Sequence, residues 1–183
     1  MRKAGLILLI VFGVIAVAFA VIVFMGRSSL SEEQAKVEDR WATLRAPLTT
    51  RYLAVGEVNA LAKEVGGDRE VVRELDGALI QWRETGARGR TARDPQAEVR
   101  LANRIEGLTG RLSASIKSVP KLSANADLVK AAEALPPTVP STRLIDPYNR
   151  AVRSYKNTLD TLRNRPAAVL FGFRPQDAYE PAT

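Results

Sequence analysis

The sequence predicts an all-α protein in which an N-terminal transmembrane helix is followed by an antiparallel up-and-down helical bundle. The chain begins with an uncharged, almost wholly apolar run at residues 4–25, and at about 1.5 Å per residue such a helix crosses a hydrocarbon core. Beyond it, apolar residues recur at steps of three and four, which is typical of helices with one buried face. No segment shows the alternation of a half-buried strand.

The apolar run is interpreted as an uncleaved membrane anchor rather than a signal peptide. A signal peptide has a basic start, a shorter apolar core and a small-residue cleavage site. Ala18-Phe19-Ala20 offers such a site, but cleavage there would leave five apolar residues as a new N-terminus. The length of the run also favours the anchor.

The charges beside the run predict its orientation. Arg2 and Lys3 precede it, whereas Arg27 is the only nearby basic residue after it until Lys36. Positive charge tends to stay in the cytoplasm. We therefore expect a single-pass protein of the cell membrane whose domain is extracytoplasmic.

The chain is predicted to have four parts. They are a short tail at 1–3, the transmembrane helix at 4–25, a helical bundle at 28–166 with a proline-rich linker at 136–147, and an irregular C-terminal tail at 167–183. The two phenylalanines around Gly172 in this tail are expected to pack into the end of the bundle.

The first bundle helix is predicted to continue almost directly from the membrane span. Ser29 and Glu32 fit a capping box at its start. Pro47 should kink it one turn earlier, and Gly66-Gly67 should end it.

Four further helices follow from caps and breakers. Asp68 caps the second, Asp94-Pro95 opens a third that Pro120 stops, and Asp146-Pro147 opens the last long helix, which Pro166 ends. A short helix is expected at 123–135.

Composition excludes much of catalytic chemistry. The chain has no Cys and no His, which removes Cys/His zinc sites, Ser-His-Asp arrangements and histidine acid–base catalysis. The neighbouring acidic pairs Glu32/Glu33 and Glu38/Asp39 point to different faces of a helix. We predict no catalytic residue, no cofactor and no metal, and hence no enzyme.

The most basic loop is a candidate for binding anions. With 27 Lys+Arg against 20 Asp+Glu, the chain carries a formal charge of +7. Four arginines cluster in one Gly-rich stretch: Arg83, Arg88, Arg90 and Arg93. Anionic lipid, a wall polymer or a protein partner would fit them. A solvated turn is the alternative, and nucleic acid is not expected because aromatic residues for base stacking are scarce.

The last third of the chain resembles the closing signature of the LemA family. The residues that carry the resemblance are Tyr148, Asn149, Val152, Tyr155, Asn157, Pro166, Gly172 and Phe173. Two further stretches, 45–48 and 119–125, resemble the family's proline in the first bundle helix and its Pro-x-Leu-x-Ala-Asn turn. The sequence departs from the pattern at Lys156, where the family has Asn.

The resemblance implies a membrane-anchored helical bundle without a defined reaction. Asn149 and Asn157 are candidates for binding partner backbone or for anchoring the tail around Phe171, whereas Tyr148 and Tyr155 fall on a buried seam. The functional hypothesis is an interaction or scaffold module of the cell envelope with an unidentified protein partner. An envelope enzyme that uses carboxylates on lipid or wall material, and a structural or oligomerising stalk, are the alternatives.

Overall fold

The computed structural model describes residues 2–87, 94–136 and 142–181. Within these residues the chain forms seven α-helices and no strand, which confirms the predicted all-α class. The helices are α1 (Arg2–Val65), α2 (Arg69–Ala87), α3 (Pro95–Ser118), α4 (Pro120–Ser123), α5 (Ala126–Glu133), α6 (Thr142–Asp160) and α7 (Arg165–Phe171).

Helix α1 is one uninterrupted helix of 64 residues. The predicted continuity between the apolar run and the first bundle helix is therefore confirmed, but the predicted cap at Ser29 is wrong. Residues 29–32 lie inside α1, where the preceding turn satisfies their N–H groups. Pro47 also lies inside α1 without ending it, and its neighbours Leu44 and Leu48 are both fully buried on the stripe that holds the helix in place.

The predicted ends of α1 and start of α2 are confirmed. Gly66 adopts φ +86°, and the Gly67 N–H donates to the Ala62 carbonyl at 2.7 Å, which closes the helix in a left-handed cap. The Asp68 carboxylate then accepts from the backbone N–H groups of Glu70 and Val71 at 2.9 and 3.3 Å.

Helix α3 begins as predicted, because Asp94 accepts from the N–H groups of Gln96 and Ala97. It ends before Pro120, which opens the short α4. Helix α5 starts later than predicted because Asn125, not Ser123, caps it, accepting from the Leu128 N–H at 2.8 Å.

The last third departs from the prediction at both prolines. Helix α6 already begins at Thr142 and contains Pro147, so the linker is shorter than predicted at that end; 137–141 lie outside the described residues. Pro147 is close enough to the helix start to remove only one hydrogen bond of the first turns. Pro166 opens α7 instead of ending α6, at a position where its missing N–H is not needed.

The tail predicted to be irregular at 167–183 is therefore helical as far as Phe171, and residues 173–181 have no regular secondary structure, as predicted. Helix α6 ends at Asp160, and Leu162, which the sequence places on the α6 seam, is 77% exposed in the following turn.

The chain divides into two compact units. The first comprises the chain up to Val37 together with Arg150–Gln176, and its buried residues include Leu30, Tyr155, Leu159 and Ala167. The second comprises Glu38–Asn149 and Asp177–Thr183. Its core holds an aromatic cluster in which Trp82 meets Tyr52 and Trp41 edge-on, with ring centroids 5.0 and 6.4 Å apart.

The buried stripe of α1 should dominate the stability of the second unit. Leu48→Ala removes a fully buried side chain, so we expect a loss of about 2–5 kcal/mol in the free energy of unfolding. The matched control is Leu53→Ala on the same helix: Leu53 is 62% exposed, and its replacement should cost less than about 0.5 kcal/mol. Urea unfolding of the detergent-solubilised chain, followed by tryptophan fluorescence, measures both. Equal losses would contradict the assigned buried face.

Candidate functional site

The C-terminal segment, defined as residues 177–180, is extended and is bound by side chains of the second unit. Side-chain oxygens accept from its N–H groups at 177, 179 and 180, and side-chain donors reach its carbonyls at 177, 178 and 179. An extended chain outside a sheet leaves its peptide groups in need of partners. Here side chains take the place of a neighbouring strand.

Helix α3 supplies two of the amides that bind the segment. Gln96 accepts from the Asp177 N–H at 3.1 Å and donates to the Asp177 carboxylate. Asn103 donates to the Ala178 carbonyl at 2.8 Å and accepts from the Glu180 N–H at 2.9 Å. Because each amide offers both a donor and an acceptor, each can pair with two groups of a passing chain.

Helix α6 supplies the third amide. Asn149 accepts from the Tyr179 N–H at 2.9 Å and donates to the Tyr179 carbonyl at 3.0 Å. Its neighbour Tyr148 donates its hydroxyl to the Asp177 carbonyl at 2.9 Å. The segment thus lies between α3 and α6, and we call Gln96, Asn103 and Asn149 the three amides.

The spacing of the two α3 amides matches an extended ligand. Positions 96 and 103 are seven residues apart, so they share one helix face and are separated by about 10.5 Å along the axis. Three steps of extended chain, from residue 177 to 180, cover about 10 Å. The segment therefore runs along α3 in the same direction as the helix.

Tyr179 anchors the segment. Its side chain is 1% exposed, its ring lies 6.4 Å from that of Trp41, and its hydroxyl donates to the Glu106 carboxylate at 3.0 Å. A buried phenol with a satisfied hydroxyl contributes both apolar contact and direction. The bound segment is therefore held by one buried side chain, by the exposed Asp177 carboxylate and by its backbone.

The buried Glu106 is paired with Arg51. The Arg51 guanidinium donates from Nε and Nη2 to the two carboxylate oxygens at 3.0 and 3.1 Å, and the two side chains are 6% and 1% exposed. Arg51 also donates to the Pro136 carbonyl. Such a bidentate pair is directional as well as strong.

A second, partly buried ion pair joins the same two helices. The Arg45 Nε lies 3.0 Å from the Glu98 carboxylate, which also accepts from the Trp41 indole at 2.9 Å. The Arg45 guanidinium lies 5.1 Å from the centre of the Trp82 ring. Two arginines of α1 thus meet two glutamates of α3, and this sets the register between the helices.

The tyrosines of this region resist ionisation. Burial raises the pKa of Tyr179, and the adjacent Glu106 charge raises it further. Burial also raises the pKa of Tyr148, with Asp177 as the second cause, and the pKa of Tyr52, with Tyr179 as the second cause. All three hydroxyls therefore remain hydrogen-bond donors well above neutral pH.

The residues that carry the family resemblance differ in burial and in contacts. Tyr148, Val152 and Tyr155 are buried, as the seam predicts, and Asn149 anchors the tail, although at Tyr179 rather than near Phe171. Asn157, the other amide named as a tail anchor, is exposed on α6.

The predicted packing of the phenylalanines is wrong for Phe171, which is 46% exposed, and Phe173 is half-buried. Pro166 lies in the first turn of α7. Gly172 caps α7 with φ +71°. Tyr179 is the aromatic residue of the tail that is buried.

The candidate anion loop is only partly described. Arg83 is exposed on α2, with its Nε donating to the Leu79 carbonyl at 3.4 Å, whereas Arg88, Arg90 and Arg93 lie outside the described residues. Anion binding there stays a prediction.

Sequence reasoning missed most of the segment-binding residues. Gln96 and Asn103 look like ordinary polar surface positions, and Tyr179 follows a proline-containing tail without periodicity. The one available signal is on α3, where Glu98 and Glu106 share a helix face with the apolar stripe. A carboxylate on a buried stripe requires a partner.

The buried carboxylate beside the segment is already paired. A shallow depression of about 460 Å³ beside α3 is lined by Glu106 and Glu180, but the Glu106 oxygens bind Arg51 and Tyr179. Among the described residues, no cluster of three or more Asp, Glu, His or Cys is placed to hold a metal ion. What the arrangement does chemically is bind an extended peptide.

Comparison with known proteins gives no further guide: no protein-family model, curated protein or solved structure matches this chain. The LemA resemblance therefore stays a proposal carried by the residues quoted for it.

Removing one amide should loosen the tail without harming the helices. Asn149→Ala deletes both hydrogen bonds to Tyr179, and we expect about 1–2 kcal/mol less stability and faster digestion of the C-terminus past residue 179 by a carboxypeptidase. Asn157→Ala on the same helix is the control and should behave as the parent. Equal digestion of the two variants would argue against the anchoring role.

Alkaline pH should release the segment. Since the folded-state pKa of Tyr179 is raised, its contribution to stability is complete below the unfolded value of about 10 and is lost as pH rises toward the folded value. We expect tyrosinate absorbance to appear together with loss of structure above about pH 10. Tyr179→Phe should show a shallower decline of stability in that range. Ionisation of Tyr179 in the folded chain with the ordinary tyrosine pKa of about 10 would contradict this expectation.

Proposed function

We propose that this protein is a membrane-anchored interaction protein whose helical domain binds an extended segment of a partner protein. The observation that carries the proposal is the pairing of the three amides with the backbone of the C-terminal segment. In this proposal the chain's own segment is the resident occupant of a groove that also accepts a partner.

Backbone-directed contacts suit a groove that binds in trans. Main-chain hydrogen bonds supply affinity for any extended chain, and one buried side chain supplies selectivity. Here the contacts at 178 and 180 are made to backbone atoms, the contacts at 177 are made to the backbone and to the exposed carboxylate, and Tyr179 is the buried side chain of the segment. A partner segment with an aromatic hydroxyl at the matching position fits the same contacts.

The resident segment also provides a means of control. A covalently attached ligand competes at an effective concentration of about millimolar, so weak partners do not displace it. A partner engages when it binds more tightly or when the resident segment is weakened. The groove is therefore self-occupied by default.

The membrane anchor is the second part of the proposal. Helix α1 is the one helix in the described part of the chain that is long and apolar enough to cross a bilayer, and the side chains of residues 9–25 are largely exposed, with Leu9 and Phe12 70% and 71% exposed. An exposed apolar surface of this kind is suited to lipid. The flanking charges favour a cytoplasmic N-terminus and a domain outside, in the cell envelope.

The LemA resemblance supports the same assignment. Tyr148 and Asn149, the first residues of the signature, both contact the C-terminal segment. A signature that coincides with segment-binding residues is easier to reconcile with an interaction role than with a reaction. The partner protein, and any contact of Arg83 with anionic polymer or lipid, belong to the proposal.

The orientation can be tested with a single thiol, since the chain has no Cys. Ile80 is 50% exposed on α2, so Ile80→Cys should react with a membrane-impermeant maleimide in intact spheroplasts. Reaction only after lysis would reverse the proposed orientation, and the parent chain is the unlabelled control.

Peptide binding in trans tests the groove. The probe is a fluorescent peptide of residues 173–183, titrated against the full chain in detergent. Tyr179→Ala weakens the resident segment, so we expect this variant to bind the peptide at least about tenfold more tightly than the parent.

Two controls make the peptide test specific. A peptide with Ala at the position of Tyr179 should not bind, and adding Asn149→Ala to the Tyr179→Ala chain should weaken binding because the groove itself is altered. A Tyr179→Ala chain that takes up no peptide would refute the proposed groove.

A further inference from the structure

Helix α7 and the turn before it carry an uncovered apolar surface. Leu162, Val169 and Leu170 are 77%, 83% and 62% exposed, and Phe171 is 46% exposed. Ala167, in the same short helix, is fully buried. One face of α7 is thus packed within the first unit, whereas the apolar residues of the other face are exposed to solvent.

The buried face of α7 packs on α1 immediately beyond the apolar run. A Cβ on Gly26 would lie 3.0 Å from the Ala167 Cβ and 3.3 Å from the Asn164 Oδ1, so a larger residue at this position would require its neighbours to shift by a few tenths of an ångström. The Arg27 guanidinium lies 4.7 Å from the centre of the Phe171 ring. These contacts put α7 level with the end of the run at Met25.

The same part of α1 shows one-sided covering. Val23 is 9% exposed although it lies within the apolar run, whereas its neighbours Phe24 and Met25 are 69% and 55% exposed. Other residues of the first unit therefore cover one side of the last turn of the apolar run.

Charge around α7 is of one sign. Residues 161–176 contain Arg163, Arg165 and Arg174 and no acidic residue, and all three arginines are exposed. Bare apolar side chains bordered by arginines are typical of helices that lie at a membrane surface, where the apolar side enters the acyl boundary and the cations meet phosphate groups.

We propose that α7 and the preceding turn form a second membrane contact, lying in the interface of the same bilayer that α1 crosses. This inference rests on the proposed anchor, because the depth of α7 in the bilayer is deduced from the position of α1. A span ending at Met25 places Gly26 and Arg27 at the water boundary, and their contacts hold α7 there. Leu162, Val169 and Leu170 then enter lipid.

Helix α1 provides its own depth scale for a test. The full chain is prepared with a single cysteine carrying an environment-sensitive fluorophore, in vesicles of phosphatidylcholine and phosphatidylglycerol with lipids that bear a nitroxide in the upper acyl chain. Val17→Cys lies nine residues inside Gly26, and Lys36→Cys lies ten residues beyond it, or about 15 Å on the water side. Leu170→Cys is the test position. Because the Leu170 side chain is 62% exposed, its replacement removes little packing.

We expect nitroxide lipids to quench the label at Leu170 several-fold more strongly than the label at Lys36. If the label at Val17 is quenched but the label at Leu170 is quenched as weakly as the label at Lys36, the inference is overturned and the anchor stands. A blue-shifted but unquenched label at Leu170, as a covering protein would produce, also overturns it. If Val17 is unquenched as well, the anchor itself fails.

Discussion

The second unit depends on a carboxylate that is buried and must be paired. Glu106 is 1% exposed, and its partners come from two distant parts of the chain: Arg51 from α1 and Tyr179 from the C-terminus. Taking a carboxylate out of water costs several kcal/mol unless such partners are present. This requirement ties α1 to α3 and draws the end of the chain back across the domain. The Arg45–Glu98 pair repeats the arrangement further along the two helices.

The C-terminal segment shows how a helical domain can hold an extended chain without offering it a strand. Each of the three amides uses its donor and its acceptor on the segment, and the α3 spacing of two helical turns matches the rise of the bound residues. The contacts that stabilise the folded chain are therefore the contacts that a partner would have to reproduce.

Local signals in the sequence predicted the fold well where the deciding interactions are themselves local. Gly66, Asp68 and Asp94 do what their positions in the chain suggest, because a cap is completed within a few residues. The prolines were harder to interpret. Pro166 lies in the first turn of α7, where proline is tolerated, whereas Pro147 lies inside α6, and a local pattern does not distinguish either position from a helix end. Tyr148 and Asn149 could be selected as site residues, and the tail was one of the two ligands expected for Asn149, but the contact with Tyr179 was not predicted.

The sequence by itself determined the helical class, the long apolar first helix, the end of α1, the start of α2 and both ends of α3, because periodicity and capping act over a few residues. Only the tertiary structure decided that Gln96, Asn103 and Asn149 face one segment, that Tyr179 is buried, and that Ala167 of α7 packs against Gly26. Those pairings join residues far apart in the chain. Their partners are chosen by the packing of helices against one another, which no local pattern encodes.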